Sequence, residues 1–120
     1  MNQARGRAAE DAALGFLESQ GCVLLHRNYR CRLGEIDLVM RDGGSLVFVE
    51  VRARESEAYG GAAASIGHAK QRRLAAAARH FLMTHPREAA LPARFDVVAI
   101  SGPGGENSPH WIRAAFHCAG

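Results

Sequence analysis

The sequence predicts an α/β fold: a single domain over residues 1–120, in the order αβββαββ, with a mixed central β-sheet flanked by helices. Two stretches with apolar residues at helical spacing, and a hairpin turn set between runs of β-branched residues, are the observations behind it. A length of 120 residues suits one hydrophobic core and leaves no room for a second.

Over 3–20, Ala9, Ala13, Phe16 and Leu17 recur at helical spacing with Ala8 and Ala12 beside them, and Gly21 stops the helix. "CVLLHRNYR" (22–30) reads as the first strand. "EIDLVM" (35–40) and "LVFVEVRA" (46–53) are the next two, joined by "RDGGS", whose Asp-Gly-Gly core is a strong hairpin signal. "ESEAYGGAAAS" is a loop of small residues. "SIGHAKQRRLAAAARHFLMTH" (65–85) reads as a second helix, capped by Ser65 and ended by Pro86, with Ile66, Leu74, Ala78, Phe81 and Leu82 turned inward. "RFDVVAIS" (94–101) is a fourth strand, "SGPGGENSP" a loop, and "HWIRAAFHC" (110–118) a fifth strand at an edge.

Composition excludes several classes. An apolar fraction of 48% and a charged fraction of 22% are those of a globular protein. No run approaches the roughly 18–20 apolar residues of a membrane span, and the N-terminus carries acids where a signal peptide has its apolar region. A cytoplasmic protein without membrane contact is the expectation. Cys22, Cys31 and Cys118 are odd in number and far apart, which fits reduced thiols rather than a disulfide framework. The histidines show no spacing typical of a zinc site. Fourteen of the fifteen cations are Arg, and Lys70 is the only lysine. A net charge of +3 is too small for a polycation, but clusters at 27–32, 52–54 and 70–73 suit phosphate contacts, with Arg30, Arg32, Arg54, Arg72 and Arg73 as the candidates.

The hairpin holds the chemistry. A turn centred between Gly43 and Gly44 makes opposed positions sum to 87, so Ile36 faces Val51, Leu38 faces Val49 and Met40 faces Val47. By alternation these six apolar residues share one face. The other face opposes Glu35 to Arg52, Asp37 to Glu50 and Val39 to Phe48. Directly opposed residues hold their Cβ atoms about 4.5–5.5 Å apart. Two carboxylates so placed repel. One relief is a raised pKa, another is neutralisation by Arg52 or exposure to solvent, and a third is a bound Mg²⁺ or Mn²⁺ held by hard oxygen ligands.

The blocks "RGRAAEDAALGFLESQG", "HRNYRCRLGEIDLVMRDGGSLVFVEVRAR", "AKQRRLAAAARHFL" and "RFDVVAI" resemble, in order, those of the bacterial YraN family, over the chain up to about residue 100. The resemblance implies a restriction-endonuclease-like fold with an αβββαβ core, of the PD-(D/E)xK nuclease superfamily that includes Holliday-junction resolvases. It implies Asp37 of "GEIDL" and Glu50 of "EVR" as metal carboxylates, with the Val51 carbonyl beside them. Glu10 of "RAAED" corresponds to the first-helix acid of related resolvases.

Arg52 stands where the superfamily has Lys. An ammonium can lose its proton when desolvated and activate water. A guanidinium, with a pKa above roughly 12, can only hold or stabilise negative charge. Lys70, or its neighbour Gln71, is the candidate replacement from the second helix, against the plainer reading of a surface lysine. Glu35 is expected to pair with Arg52, and Asp96 with Arg94.

The resulting expectation is a Mg²⁺- or Mn²⁺-dependent endonuclease hydrolysing DNA phosphodiester bonds, on branched or damaged DNA. The alternatives are a nucleic-acid-binding module of the same fold without turnover, which Arg52 favours, and a protein-interaction domain. Related resolvases act as homodimers, but no stretch of this sequence marks a dimer surface.

Overall fold

The structure, a computed structural model, describes residues 3–54, 66–101 and 109–117. Its elements are α1 (Gln3–Ser19), β1 (Val23–Cys31), β2 (Gly34–Asp42), β3 (Ser45–Arg54), α2 (His68–Thr84), α3 (Pro86–Ala89), β4 (Ala93–Ser101) and β5 (His110–Phe116). The five strands form one sheet in sequential order, with β3 and β4 parallel and the other neighbours antiparallel. Helices flank this mixed, mostly antiparallel sheet, an architecture compatible with a restriction-endonuclease-like core. No helix among the described residues is long and apolar enough to cross a membrane.

Local signals place the element ends. Gly21 takes φ +94° after α1, the Gly21 N–H donates to the Glu18 carbonyl and the Cys22 N–H to that of Leu17, both at 3.0 Å. That is the paired closure of a helix C-terminus which favours glycine. The hairpin closes at Asp42–Ser45 round Gly43, which has φ +60°. Ser65 lies outside the described residues, and α2 begins behind Gly67, which makes no side-chain cap. Pro86 ends α2 as expected and also opens the short α3, because a helix's first turn tolerates a missing N–H.

The sheet separates two apolar clusters. On one face Ala9, Ala13 and Leu17 of α1 pack on Leu38, Met40, Val47, Val49, Val98 and Ile100. On the other, Leu74, Ala77, Ala78 and Phe81 of α2 pack on Val39, Leu46, Phe48, Val97 and Ala99.

One expectation from alternation fails. Ile36 belongs with Tyr29 to the α2 cluster, not with Leu38 and Met40. Asn28 is the reason: its φ of 55° interrupts the alternation of β1. Arg27 therefore reaches the α1 side, where it pairs with Glu10 and Asp11, while Tyr29 sits under α2. β2 follows its partner, because Arg27 is opposite Leu38 and Tyr29 opposite Ile36. Asp37 lies at the changeover.

Candidate active site

Asp37 is held sideways. The β2–β3 register runs from Leu38–Val49 to Asp42–Ser45, with every pair summing to 87 as the turn requires, and it stops short of Asp37. There the Val51 N–H donates to Oδ2 of Asp37 at 2.8 Å, so a side chain accepts a bond of the kind backbone carbonyls accept elsewhere in the sheet. In an extended strand the N–H and C=O of a residue leave on the same edge, so the Val51 carbonyl also faces β2.

Glu50 is 5% exposed and points towards α2, opposite in sense to its neighbours Val49 and Val51. Its carboxyl group lies close enough to that of Asp37 to disfavour the ionised form there. Desolvation first, and the charge of Glu50 second, push the Asp37 carboxyl up to about 7. The Val51 N–H and the Lys70 ammonium act in the opposite direction and prefer the ionised form.

Two cations approach Glu50, both at Oε2. Lys70 Nζ is 3.4 Å away and Arg52 Nε 3.7 Å. Arg52 Nε is itself buried and closes no hydrogen bond. The side chains of Lys70 and Arg52 are each about one-third exposed, so the site opens to solvent on the α2 side.

The residues expected at the site thus divide. Asp37, Glu50, Arg52 and Lys70 come together, Lys70 through α2 and the others through the hairpin. Gln71 donates its amide to the Ile66 carbonyl at 2.9 Å and tethers the start of α2. Glu10 is engaged by Arg27 Nε at 3.4 Å on the α1 side, and among the described residues no three His, Cys, Asp or Glu side chains form a group. The structure therefore does not bring Glu10 to the Asp37–Glu50 pair.

The expected Glu35–Arg52 pair is not formed. Glu35 is paired in register with Arg30, whose Nε lies 3.0 Å from its carboxylate, because β2 has by then left β3 for β1. Asp96 does pair with Arg94, at 3.0 and 3.1 Å, and also accepts from Trp111 Nε1 and the Ala114 N–H, each at 2.9 Å. It is fully buried at the sheet's interior and structural in character.

Beside the acids, a cleft of about 600 Å³ opens between the β1–β2 turn and α2. Lys70 belongs to its wall, as do Arg30, Arg32 and Arg73. Arg72 is exposed on the same helix, and the side chain of Arg54 lies outside the described residues. The cleft also contains Leu33, which is 65% exposed and to which sequence reasoning assigns nothing. The available signal is a leucine in a two-residue turn, where polar residues and glycine are usual.

A profile of uncharacterised protein family UPF0102 matches residues 9–100. Relatives align over nearly the whole chain. A UPF0102 protein of Nitrosomonas europaea is 55% identical, covering 93% of this chain and 92% of its own. One of Stutzerimonas stutzeri is 52% identical over 96% of each chain, and one of Ralstonia nicotianae is 58% identical over 94% of this chain and 86% of its own. With a match spanning most of its length and relatives aligned almost end to end, the chain belongs to the UPF0102 family, the YraN-like family its motifs resemble.

Proposed function

We propose that the protein is a metal-dependent nuclease of the PD-(D/E)xK type, hydrolysing DNA phosphodiester bonds with Asp37 and Glu50 as the acids that hold Mg²⁺ or Mn²⁺. One observation carries the reading: two carboxyl groups from adjacent strands meet in a site where burial opposes the ionisation of Asp37. A folded protein gains nothing in stability from such a pair, whereas a divalent cation bound there favours ionisation of both.

The donor set fits that cation. Two carboxylates and the Val51 carbonyl are hard oxygen ligands, which suit Mg²⁺ and Mn²⁺ at about 2.0–2.2 Å. The buried, unspent donor at Arg52 Nε fits too, since it leaves room for a further negatively charged partner beside Glu50. When bound, the cation lowers the pKa of an attacking water and offsets charge on the scissile phosphate.

The chain's own residues supply the rest. Val51 fixes the Asp37 carboxylate through its N–H. Lys70, 3.4 Å from Glu50, brings from α2 the ammonium that the superfamily usually carries on the strand. As a charged donor beside Glu50 it orients the attacking water and offsets negative charge on the phosphate. Arg52 holds a phosphate oxygen. Glu10, engaged by Arg27, has no part in this reading.

Cleavage of a labelled four-way or flapped DNA in Mn²⁺ tests it. Asp37→Asn and Glu50→Gln are expected to abolish cleavage while leaving the far-ultraviolet spectrum unchanged. Cleavage that persists in both variants refutes the assignment.

A second reading is favoured by one observation. Lys70 and Arg52 already neutralise Glu50 at a single oxygen, as in a binding module that has given up turnover. Salt-sensitive binding to branched DNA, with no cleavage in Mg²⁺ or Mn²⁺, selects it.

A further inference from the structure

We infer that the cleft between the β1–β2 turn and α2 seats a nucleic-acid strand with unpaired bases, its phosphates on Arg32 and Arg73 and a base against Leu33. The inference rests on the nuclease reading and names the substrate class of that site.

The charge is available. Arg30 is committed to Glu35, the acid of the cleft wall. Among the described residues Arg32 and Arg73 have no acidic partner, and both are exposed. Two uncommitted guanidiniums facing one concavity from different elements suit a phosphodiester backbone. Lys70 lines the same cleft and lies 3.4 Å from Glu50, so one side chain connects the cleft wall to the acid pair.

The size selects a single strand. About 600 Å³ is within the range of sites that seat one small ligand, roughly 300–1,000 Å³. That accommodates a short piece of one strand and not a duplex. Leu33 agrees with this: 65% exposed at the tip of the turn between Arg32 and Gly34, it places an apolar side chain on the wall of the basic cleft, where an unpaired base can pack on it. Aliphatic side chains that project from basic surfaces act as wedges against bases. In a continuous duplex a wedge must first unstack a base step, a cost that branches, flaps and single strands avoid.

The cleft is also rigidly built. A Cβ on Gly34 would lie 2.4 Å from the carbonyl oxygen of Arg73, so the turn rests on the helix backbone and fixes the spacing of its arginines.

Fluorescence anisotropy with a labelled oligothymidylate and a fully paired duplex, both in EDTA, tests the inference on the intact chain. The single strand is expected to bind more tightly than the duplex. Arg32→Ala/Arg73→Ala should weaken single-strand binding about tenfold or more and flatten the log–log salt slope by about 1.4, two contacts at roughly 0.7 each. Leu33→Ser should weaken single-strand binding severalfold with the salt slope and duplex binding unchanged. Wild-type affinity and slope in the double arginine variant, or equal losses on both DNAs in Leu33→Ser, overturn it. Because no divalent cation is present, the two readings fail separately. Binding as expected without metal-dependent cleavage removes the nuclease reading, and cleavage intact in the cleft variants removes the cleft.

Discussion

The Asp37 carboxylate accepts the backbone N–H of Val51 at 2.8 Å, across the point where β2 and β3 cease to pair. An acid in that position helps to close the sheet and is also set against Glu50. Its two roles have separable consequences.

The first concerns pH. The Asp37 carboxyl titrates near 7 in the folded protein against an ordinary value of 3.8. Between those values the native state keeps a proton that the unfolded chain has lost, so stability falls as pH rises from about 4 to about 7 and stays reduced above. Urea unfolding at pH 5 and pH 8 should show that loss, on the order of a few kcal/mol at most. Asp37→Asn keeps an acceptor for Val51 and removes the titration. It should be the more stable protein at pH 8 and lack this part of the pH dependence. Parallel profiles for the two proteins would falsify the idea.

A second expectation follows from Lys70. Its charge favours ionised Asp37, so Lys70→Met should move the Asp37 titration upward, read from its side-chain carboxyl ¹³C shift. Under the nuclease reading the same variant should lose cleavage by about a hundredfold. Cleavage at the wild-type rate would reduce Lys70 to a surface cation.

Arg52→Lys distinguishes the two duties available to a cation beside Glu50. A lysine can hold charge and also yield a proton, so under the nuclease reading cleavage should be kept within about tenfold or rise, whereas Arg52→Ala should lower it by more than that. Equal rates in all three proteins would leave Arg52 outside the chemistry.

Gly34→Val should destabilise the fold by about 1–3 kcal/mol, because the new side chain meets the Arg73 carbonyl and the turn must lift from α2. Thermal unfolding measures it. The same variant should weaken oligothymidylate binding even at temperatures where it is folded.

Asp96→Ala is expected to be the most damaging of these substitutions, at about 3–5 kcal/mol. It strands the Trp111 indole N–H and the Ala114 N–H and leaves Arg94 its bond to Asp42 alone, where all three groups now converge on a fully buried carboxylate. Denaturant titration gives the value.

Much of this was legible before any coordinates. Period-two alternation and the Gly43–Gly44 turn were enough to pair Leu38 with Val49 and to put Asp37 beside Glu50, because a hairpin's register follows from local geometry. Ile36 was not placed correctly, since one left-handed residue on the neighbouring strand, Asn28, reverses which side its partner faces. Nothing in the residue type announces such a reversal, although asparagine tolerates it better than most. Glu35 went to Arg30 instead of Arg52 for a related reason: a strand flanked on both sides offers its side chains two partners, and the sequence does not say where the sheet separates. Lys70 stood out only as the sole lysine. Its approach to Glu50 depends on how a helix lies across the sheet, which spacing within the helix does not encode.

Asp37, Glu50 and Arg52 come from one hairpin, whereas Lys70 comes from beyond it and reaches them only when α2 lies on the sheet. The acids are brought together by contacts close in sequence, and the lysine joins them only through the longer-range closure of α2 on the sheet. Until it does, Glu50 has Arg52 beside it but not Lys70. A chain arranged in this way completes the four-residue cluster only when α2 has docked, so a molecule with the hairpin alone has the acids and Arg52 but not Lys70.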